Sequence, residues 1–527
     1  MKYLSRRDLL VGAGAVALNG GAPIGAWAQQ AKGRLTVACS GEPATLVLAL
    51  STQGPTQLIG GKIFQGLLSF GFDLSPQPSL AKSWIVSPDG MTYEFKLQEN
   101  VTWHDGRPFT SEDVVFTTRD MLPQTHTRAR NNFANVAEFI ASDPHTVIFK
   151  MKQPFAPFLG AFQVGSAPMM PKHIYAGSDY KTNPANATPI GTGPFKFNEW
   201  RRGNHIHLVR NENYWKQGLP RIQDIYFRII PDAAGRTMAI EAGELDVATS
   251  DDIELFDVPR LNTNPSLVRV DKGDEIFGEM GWIEMNHRVK PLDDKRFRQV
   301  IMHALDRDFI ASRIWFGVAK KASGPFSSAT KYCDASIQGY PYDMARARKL
   351  LADMGLDPKS GGQRASLRLL QSPYGGPWNR LAEYMKQQLA ELGVSLTIES
   401  TDMGAFAQRV ANWDYDLTFN RLLQFGDPAL GVARSYISSN IQKGVMFSNT
   451  MGYSNPKVDE LFAQAQQTID EGERMRLYKE VQAILFEDVP VGWLVEGRRV
   501  TFHNKRVRDL ITTSSGTYDS FESAWIS

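Results

Sequence analysis

The chain has few cysteines and no excess of either charge. Two cysteines among 527 residues cannot form a disulfide framework, and two thiols are too few for a structural zinc site unless histidines complete it. Lys plus Arg number 58 against 56 for Asp plus Glu, a formal net charge of +2. Such a balance supplies no general field that would attract nucleic acid or an anionic membrane. We therefore expect neither a nucleic-acid partner nor a metal site.

The common catalytic signatures are missing as well. The sequence contains no G-x-S-x-G, no H-E-x-x-H and no G-x-x-x-x-G-K-[ST], which removes the usual motif evidence for a hydrolase, a zinc protease or a nucleotide-binding enzyme. The glycine-rich run 191–194 leads into an alternating, strand-like segment, so it cannot offer the amides of a helix N-terminus to a phosphate. The sequence thus predicts no cofactor and no catalytic residue.

One motif keeps an enzymatic alternative open. Ser79 and Lys82 match the S-x-x-K pattern of penicillin-binding hydrolases. The K-T-G partner of that pattern is absent, because Asn183 follows Lys181 and Thr182. An exported serine hydrolase is therefore the remote alternative.

The nine histidines are scattered, and only His205 and His207 form a close pair. On a strand they would lie on one face, yet no third ligand is identifiable, and a transition metal needs three or four. We interpret them as part of a solvated strand face. The segment Trp103-His104-Asp105-Gly106 contains an Asp-Gly step, which is typical of a structural turn.

The remaining composition is that of a folded protein. Hydrophobic residues make up 42% and charged residues 22%, and a chain of this length exceeds the roughly 250–300 residues at which one core stops growing. Two or three domains are expected. Hydrophobic periodicity predicts strands at Leu35–Ala38, Thr92–Leu97, Thr146–Met151, His205–Arg210, Ile225–Ile230 and Val491–Val495. It predicts helices over Ser111–Met121, Asp293–Trp315, Tyr342–Leu351, Asn379–Leu392 and Val458–Phe486, with Gly472 dividing the last into two. This alternation indicates an α/β protein of more than one lobe.

Residues 1–28 have the pattern of an export signal. A positive start is followed by a weakly apolar run and the small-x-small end Ala26-Trp27-Ala28. Arg6-Arg7 resembles a twin-arginine signal, and an ordinary secretory signal is the alternative. No later apolar stretch approaches the ~20 residues that span a bilayer. We expect a soluble periplasmic protein with Cys39 buried rather than acylated; whether Cys39 and Cys333 pair is left open.

Several segments resemble the solute-binding proteins of peptide and nickel ABC importers, family 5 of the extracellular solute-binding proteins. They follow the family's order and cover most of the chain after residue 28. The segments are Ser79–Trp84, Ser87–Phe95, Val101–Thr110, Pro189–Phe195, Arg210–Trp215, Glu241–Asp246, Met285–Asn286, Asp293–Arg298, His303–Arg307 and the helices at 343–355 and 458–490.

The resemblance implies an α/β, two-lobed periplasmic-binding-protein fold with mixed sheets and an extra subdomain in the first lobe. Residues 29–74, 190–290 and 496–527 would form lobe 1, residues 75–189 its extra subdomain, and residues 291–495 lobe 2. It also implies a monomeric, non-catalytic receptor that holds an oligopeptide or peptide-like solute between its lobes and delivers it to a membrane permease. A receptor for an opine, an oligosaccharide or a metal chelate is the alternative.

The resemblance also suggests which residues contact the ligand. Asp427 stands where peptide-binding relatives pair an Asp with the ligand's ammonium group, although Asp-Pro is equally a turn signal. Arg421 stands where relatives place a pocket arginine able to bind a carboxylate, with a surface charge as the alternative. Gln424 and Phe425 depart from the residues usual in peptide binders, which disfavours a dipeptide specialist.

Two further segments complete the predicted site. Thr52, Gln53 and Gly54 precede a helix whose approach, in the family, gives backbone contacts to extended peptides. Tyr374 and Trp378 lie in a turn-rich segment, where aromatic side chains could line the cleft or pack into the core.

Overall fold

A computed structural model describes residues 33–358 and 362–527. The predicted export signal, including Arg6 and Arg7, lies outside the described residues. Among the helices that are described, none is both long and apolar enough to cross a membrane.

Strands and helices alternate along the described chain. The strands are β1 (Arg34–Cys39), β2 (Leu68–Phe70), β3 (Pro76–Pro78), β4 (Ala81–Val86), β5 (Thr92–Leu97), β6 (Val136–Asp143), β7 (Thr146–Met151), β8 (Phe195–Arg201), β9 (His205–Arg210), β10 (Asp224–Ile229), β11 (Val247–Thr249), β12 (Leu267–Val270), β13 (Met280–Met285), β14 (Lys320–Lys321), β15 (Ala365–Leu370), β16 (Val394–Glu399), β17 (Leu417–Leu422), β18 (Val491–Glu496), β19 (Thr501–Asn504), β20 (Val507–Arg508) and β21 (Trp525–Ile526). The helices are α1 (Gly54–Ile63), α2 (Ser111–Val115), α3 (Leu122–Thr125), α4 (Thr127–Phe133), α5 (Lys172–Tyr175), α6 (Ala233–Glu241), α7 (Val258–Leu261), α8 (Lys295–Ala304), α9 (Arg307–Phe309), α10 (Met344–Asp353), α11 (Gly376–Ala390), α12 (Met403–Ala411), α13 (Pro456–Gln467) and α14 (Glu471–Asp488).

Two large mixed sheets organise the molecule. The first has seven strands in the order β12-β19-β11-β1-β10-β9-β8, and β1 is parallel to both β10 and β11. The second has six strands in the order β14-β18-β13-β17-β15-β16, and β15 is parallel to β16 and β17. The expected α/β architecture with mixed sheets is therefore confirmed.

A four-stranded antiparallel sheet, β4-β5-β7-β6, lies within the segment predicted as an extra subdomain. Its inward residues alternate along β5, where Tyr93, Phe95 and Leu97 are buried. Phe95 and Phe149 meet edge to face at 5.8 Å within one aromatic cluster. Because alternate side chains of a strand point to the same face, these three residues of β5 pack into the core of this sheet.

The chain connects the two large sheets at two places in the described ranges. Residues 271–279 lead from β12 of the first sheet to β13 of the second, and residues 497–500 lead back from β18 to β19. We call these segments crossing 1 and crossing 2. Strand β13 thus joins the second sheet before residue 291; the division into lobes at the stated boundaries stays a prediction.

Most predicted elements are observed, with three corrections. The helix predicted over Asp293–Trp315 is interrupted, because α8 ends at Ala304 and α9 begins at Arg307. The helix predicted over Val458–Phe486 is divided, but not at Gly472. The helix break lies at residues 468–470, where the side chain of Asp470 accepts from Glu473 N and caps α14, and Gly472 lies inside that helix. His205 and His207 do not form a solvated face, because their exposed fractions are 4% and 7%. His207 stacks on Tyr226 at 4.1 Å between ring centroids and binds Asp224, so the strand face is packed.

Two local interpretations are confirmed. The amide of Gly106 donates to the carbonyl of Trp103 at 2.8 Å, which closes the turn predicted there, and Gly106 adopts φ +89°. Cys39 is fully buried, and burial raises the pKa of its thiol to about 12. Cys39 and Cys333 are both free thiols in the structure.

Candidate ligand-binding cleft

A cavity of about 630 Å³ lies between the two large sheets. One wall follows the ends of β1 and β11 and the start of α1, and the opposite wall comes from β17 and from the segment that begins α11. Crossings 1 and 2 also contribute to the lining. The cavity is therefore bounded by the two bodies that the crossings connect, and it falls in the size range of ordinary ligand pockets.

Charged side chains of both signs line this cleft. The carboxylates are Asp251, Asp252, Glu254, Asp274 and Glu279, and the guanidinium groups are Arg421, Arg498 and Arg499. Charges enclosed in this way interact more strongly than on an open surface. The cleft thus suits a solute that carries charge itself.

Three ion pairs organise these charges. Arg499 binds Asp251 through Nε (2.8 Å) and Asp274 through Nη1 (3.0 Å). On the opposite side, Arg421 Nη1 lies 2.9 Å from Glu279 Oε2. About half of the side chains of Asp251 and Arg421 stays exposed, 54% and 47% respectively. Both can therefore accept a further partner from the cavity.

The carboxylates differ in how readily they ionise. Burial raises the pKa of Asp274 to about 7, against the opposing attraction of Arg499. Burial likewise raises the pKa of Asp252 to about 6, although Thr249 donates two hydrogen bonds to it. Burial also acts to raise the pKa of Asp251, but the positive charges of Arg499 and Arg421 outweigh it, and the pKa of Asp251 is lowered overall. Asp251 is consequently ionised at neutral pH.

The structure brings five of the nine predicted site residues to this cleft: Thr52, Gly54, Tyr374, Trp378 and Arg421. The guanidinium of Arg421 lies 5.5 Å from the ring centroid of Tyr374, within cation–π range. The hydroxyl of Tyr374 is buried and has no hydrogen-bond partner in the parts of the chain that the structure describes. Trp378 is nearly buried and packs edge to face against Trp315 at 5.2 Å, so most of its surface serves the core.

Gln53 and Gln424 are placed away from the cavity lining. Gln53 is exposed and precedes α1, where its carbonyl accepts from Gln57 N at 2.9 Å. Gln424 is 1% exposed, and both side-chain amide atoms lack a partner among the residues described.

Asp427 and Phe425 line a second, smaller cavity of about 350 Å³. Asp427 Oδ2 lies 2.6 Å from Arg474 Nη2, while Oδ1 accepts from the hydroxyl of Tyr478 (3.1 Å) and from Ala429 N (2.9 Å). Its carboxylate thus already has a buried cationic partner. Its predicted contact with a ligand ammonium stays a prediction.

Phe425 has an unusual backbone and a charged neighbour. Its φ of +53° lies in the left-handed region, which is costly for a bulky residue. The guanidinium of Arg128 lies 3.8 Å from the centroid of its ring. This packing fixes the loop between β17 and the Asp427 turn.

Comparison with known proteins places this architecture in a family. The model described as "Bacterial extracellular solute-binding proteins, family 5 Middle" matches residues 75–443. The chain belongs to this family. Over 463 residues, 86% of each chain, it is 27% identical to the glutathione-binding protein GsiB of Escherichia coli strain K12.

Two solved structures have the same fold as this chain. The periplasmic binding protein DppA of Helicobacter pylori, in complex with the peptide STSA, superposes with a TM-score of 0.77 at 24% identity, covering 94% of this chain and 98% of that one. NikZ of Campylobacter jejuni, in complex with Ni(L-His), gives a TM-score of 0.78 at 22% identity, covering 93% and 98%. The expected periplasmic-binding-protein fold is confirmed.

Membership of a binding-protein family settles the enzymatic alternative. Family 5 proteins bind solutes rather than transform them, and this chain is not an enzyme. The S-x-x-K motif agrees with this, because the ammonium group of Lys82 forms an exposed ion pair with Glu99. Ser79 and Lys82 are therefore parts of the scaffold.

The sequence did not reveal the acidic residues of the cleft. Asp251 and Asp252 lie two and three residues after the end of the short strand β11, and Arg499 lies three residues after the end of β18. Charged residues after strand ends were a usable signal, because ligand sites in α/β proteins lie at such ends. Which strand ends face each other, however, depends on pairings between segments more than 200 residues apart.

Proposed function

We propose that this chain captures an oligopeptide or a similar peptide-like zwitterion between its two large sheets. As a family 5 member it is the solute-binding component of an ABC importer. In this proposal it delivers the solute, unchanged, from the periplasm to the permease subunits as a monomer. Peptides, glutathione, nickel chelates and opines are the solute classes that the relatives leave open.

One observation carries the choice of a zwitterion. The half-exposed Asp251 and Arg421 lie on opposite sides of one cavity, close enough for each charge to shift the pKa of the other. A ligand ammonium would bind Asp251, and a ligand carboxylate would bind Arg421 with the two parallel bonds that a guanidinium offers. Each ligand group would then join an existing ion pair at the half of the side chain that stays exposed to the cavity.

Isothermal titration calorimetry tests this assignment. The probes are the tetrapeptide Ser-Thr-Ser-Ala and glutathione, together with the N-acetylated and C-amidated forms of the tetrapeptide. Asp251→Asn is expected to weaken binding of the free tetrapeptide at least tenfold, because a charge-assisted contact is lost. Arg421→Gln is expected to do the same, and each variant is expected to lose little affinity for the probe that already lacks the matching charge.

Asp271→Asn is the matched control, since Asp271 lies in crossing 1 but pairs with Arg269, outside the cleft. Equal affinity of the free and the doubly blocked tetrapeptide would contradict the zwitterion assignment. If neither peptide binds and an opine or a nickel chelate shows saturable binding, the solute belongs to one of those classes instead.

We also propose export through the twin-arginine route, from the Arg6-Arg7 pair. Replacing both arginines by lysine keeps the charge of the signal. It is expected to leave the precursor in the cytoplasm of the producing cells, detected as an uncleaved band on fractionation. Normal export of that variant would point to the general secretory route.

A further inference from the structure

The two crossings are tied together by one carboxylate. Asp274 in crossing 1 accepts from the backbone N of Arg499 at 3.0 Å through Oδ2, and its Oδ1 lies 3.0 Å from Arg499 Nη1. A single backbone bond, from Gly497 N to Glu279 O (2.9 Å), joins the crossings nearby. Any rotation of one sheet relative to the other must therefore change the backbone conformation of these two segments.

Arg499 also reaches into the cleft. Its Nε binds Asp251, on the wall formed by the first sheet, and its guanidinium lies 4.2 Å from the ring centroid of Tyr518. One side chain thus contacts the other crossing through one edge and the ligand cavity through another. A change in the net charge at Asp251 must therefore alter the electrostatic interaction between Arg499 and Asp274.

We propose that Arg499 and Asp274 form a hinge latch whose strength depends on cleft occupancy, signalled through Asp251. The latch itself follows from the geometry of the crossings. Its coupling to a ligand rests on the proposed function, because it requires a cationic group of the solute beside Asp251. The two parts are tested separately.

Titration of Asp274 gives the latch a measurable signature. Burial raises the pKa of Asp274 to about 7, and the charge of Asp251 contributes to this rise. At a pH below this value Asp274 is neutral and the ion pair with Arg499 is lost; at a pH above it the pair is complete. An ammonium group beside Asp251 would offset the charge of Asp251 and lower the pKa of Asp274, so binding would release protons.

The charged and titratable groups on or packed against the crossings are Asp271, Lys272, Glu275, Glu279, Asp251, Arg498, Arg499 and Tyr518. Of these, Arg499, Glu279 and Asp251 act on the pKa of Asp274. Asp252, with a pKa raised to about 6 by burial, titrates in a neighbouring range. For this reason the pH response is compared between the native protein and a variant that lacks only the Asp274 carboxylate.

The first experiment measures the ligand-free protein. Spin labels on Glu212→Cys and Glu391→Cys, two exposed positions attached to the first and second sheets, report the separation of the two bodies by double electron–electron resonance. The background carries Cys333→Ser, and the buried Cys39 stays unlabelled. We expect a longer and broader separation at pH 5.5 than at pH 8.5, and Asp274→Asn to show the broad distribution at both values.

The control is again Asp271→Asn, which removes a carboxylate from the same crossing and is expected to keep the response to pH. Identical distributions in the native protein at the two pH values would overturn the latch. If Asp274→Asn does not fold, the comparison of the native protein at the two pH values still tests the latch. Arg499→Lys provides a second variant, because lysine keeps the positive charge but cannot bind Asp251 and Asp274 through two separate nitrogen atoms.

The second experiment measures the coupling. Titration of Ser-Thr-Ser-Ala at pH 7, in buffers of different ionisation enthalpy, is expected to show proton release that is smaller in Asp274→Asn than in the native protein. The release that remains in the variant is expected to come from Asp252, because the charge of Asp251 acts on that carboxylate as well. Binding without any difference between the two proteins would overturn the coupling and leave the zwitterion proposal intact. Absence of binding would count against the proposed function with this probe and against the coupling, whereas the latch is decided by the ligand-free distances.

Discussion

The Asp427 carboxylate shows how one side chain can satisfy either a structural or a binding role. In the structure it accepts from Arg474, Tyr478 and Ala429 N, and only 7% of the residue is exposed. Removing one partner from a buried ion pair leaves the other charge uncompensated. Asp427→Asn is therefore expected to lower the free energy of unfolding by about 3 kcal/mol, measured by urea denaturation.

Asp402→Asn is the comparison for this variant, because Asp402 caps α12 from an exposed position and Asn caps a helix equally well. Its free energy of unfolding is expected to change by less than ~0.5 kcal/mol. A stable Asp427→Asn protein that loses tenfold affinity for an ammonium-bearing peptide would instead support the ligand role that the Asp-Pro segment suggested.

Single residues were predictable where their environment is local. The burial of Cys39 followed from its place in an apolar strand, and the turn at Gly106 followed from the Asp-Gly step. The packing of His207 did not, because its partners Asp224 and Tyr226 come from strand β10. The pairing of Asp427 with Arg474 was hidden for the same reason, since Arg474 lies in α14.

At the scale of elements, hydrophobic periodicity predicted the bounds of several strands correctly, whereas the position of a helix break was harder to predict. The predicted strands at Thr92–Leu97, Thr146–Met151 and His205–Arg210 match β5, β7 and β9 at both ends. The break within 458–486 lies before Gly472 because a cap, not the glycine, sets the start of α14. The side chain of Asp470 accepts from Glu473 N, and Gly472 is tolerated in the first turn of the helix.

The cleft could be predicted only in part because it is assembled from several elements. Arg421 was predicted from the resemblance and Tyr374 from its turn-rich segment, whereas Asp274 and Arg499 lie in the crossings. Recognising a crossing requires knowing that β12 and β13, consecutive in sequence, belong to different sheets. Nothing in the local composition of residues 271–279 indicates this change.

At the scale of the whole molecule, connection by two short crossings permits the sheets to close on a solute. Contacts to both walls would favour the closed arrangement, and ligand binding adds stability of about 4 kcal/mol at a thousandfold excess over Kd. We therefore expect a saturating zwitterionic peptide to raise the Tm and to reduce the radius of gyration measured by small-angle X-ray scattering. Arg421→Gln is expected to reduce both effects at the same peptide concentration, because one wall loses its contact. A rise in Tm with an unchanged radius of gyration would show that the solute binds without closing the cleft.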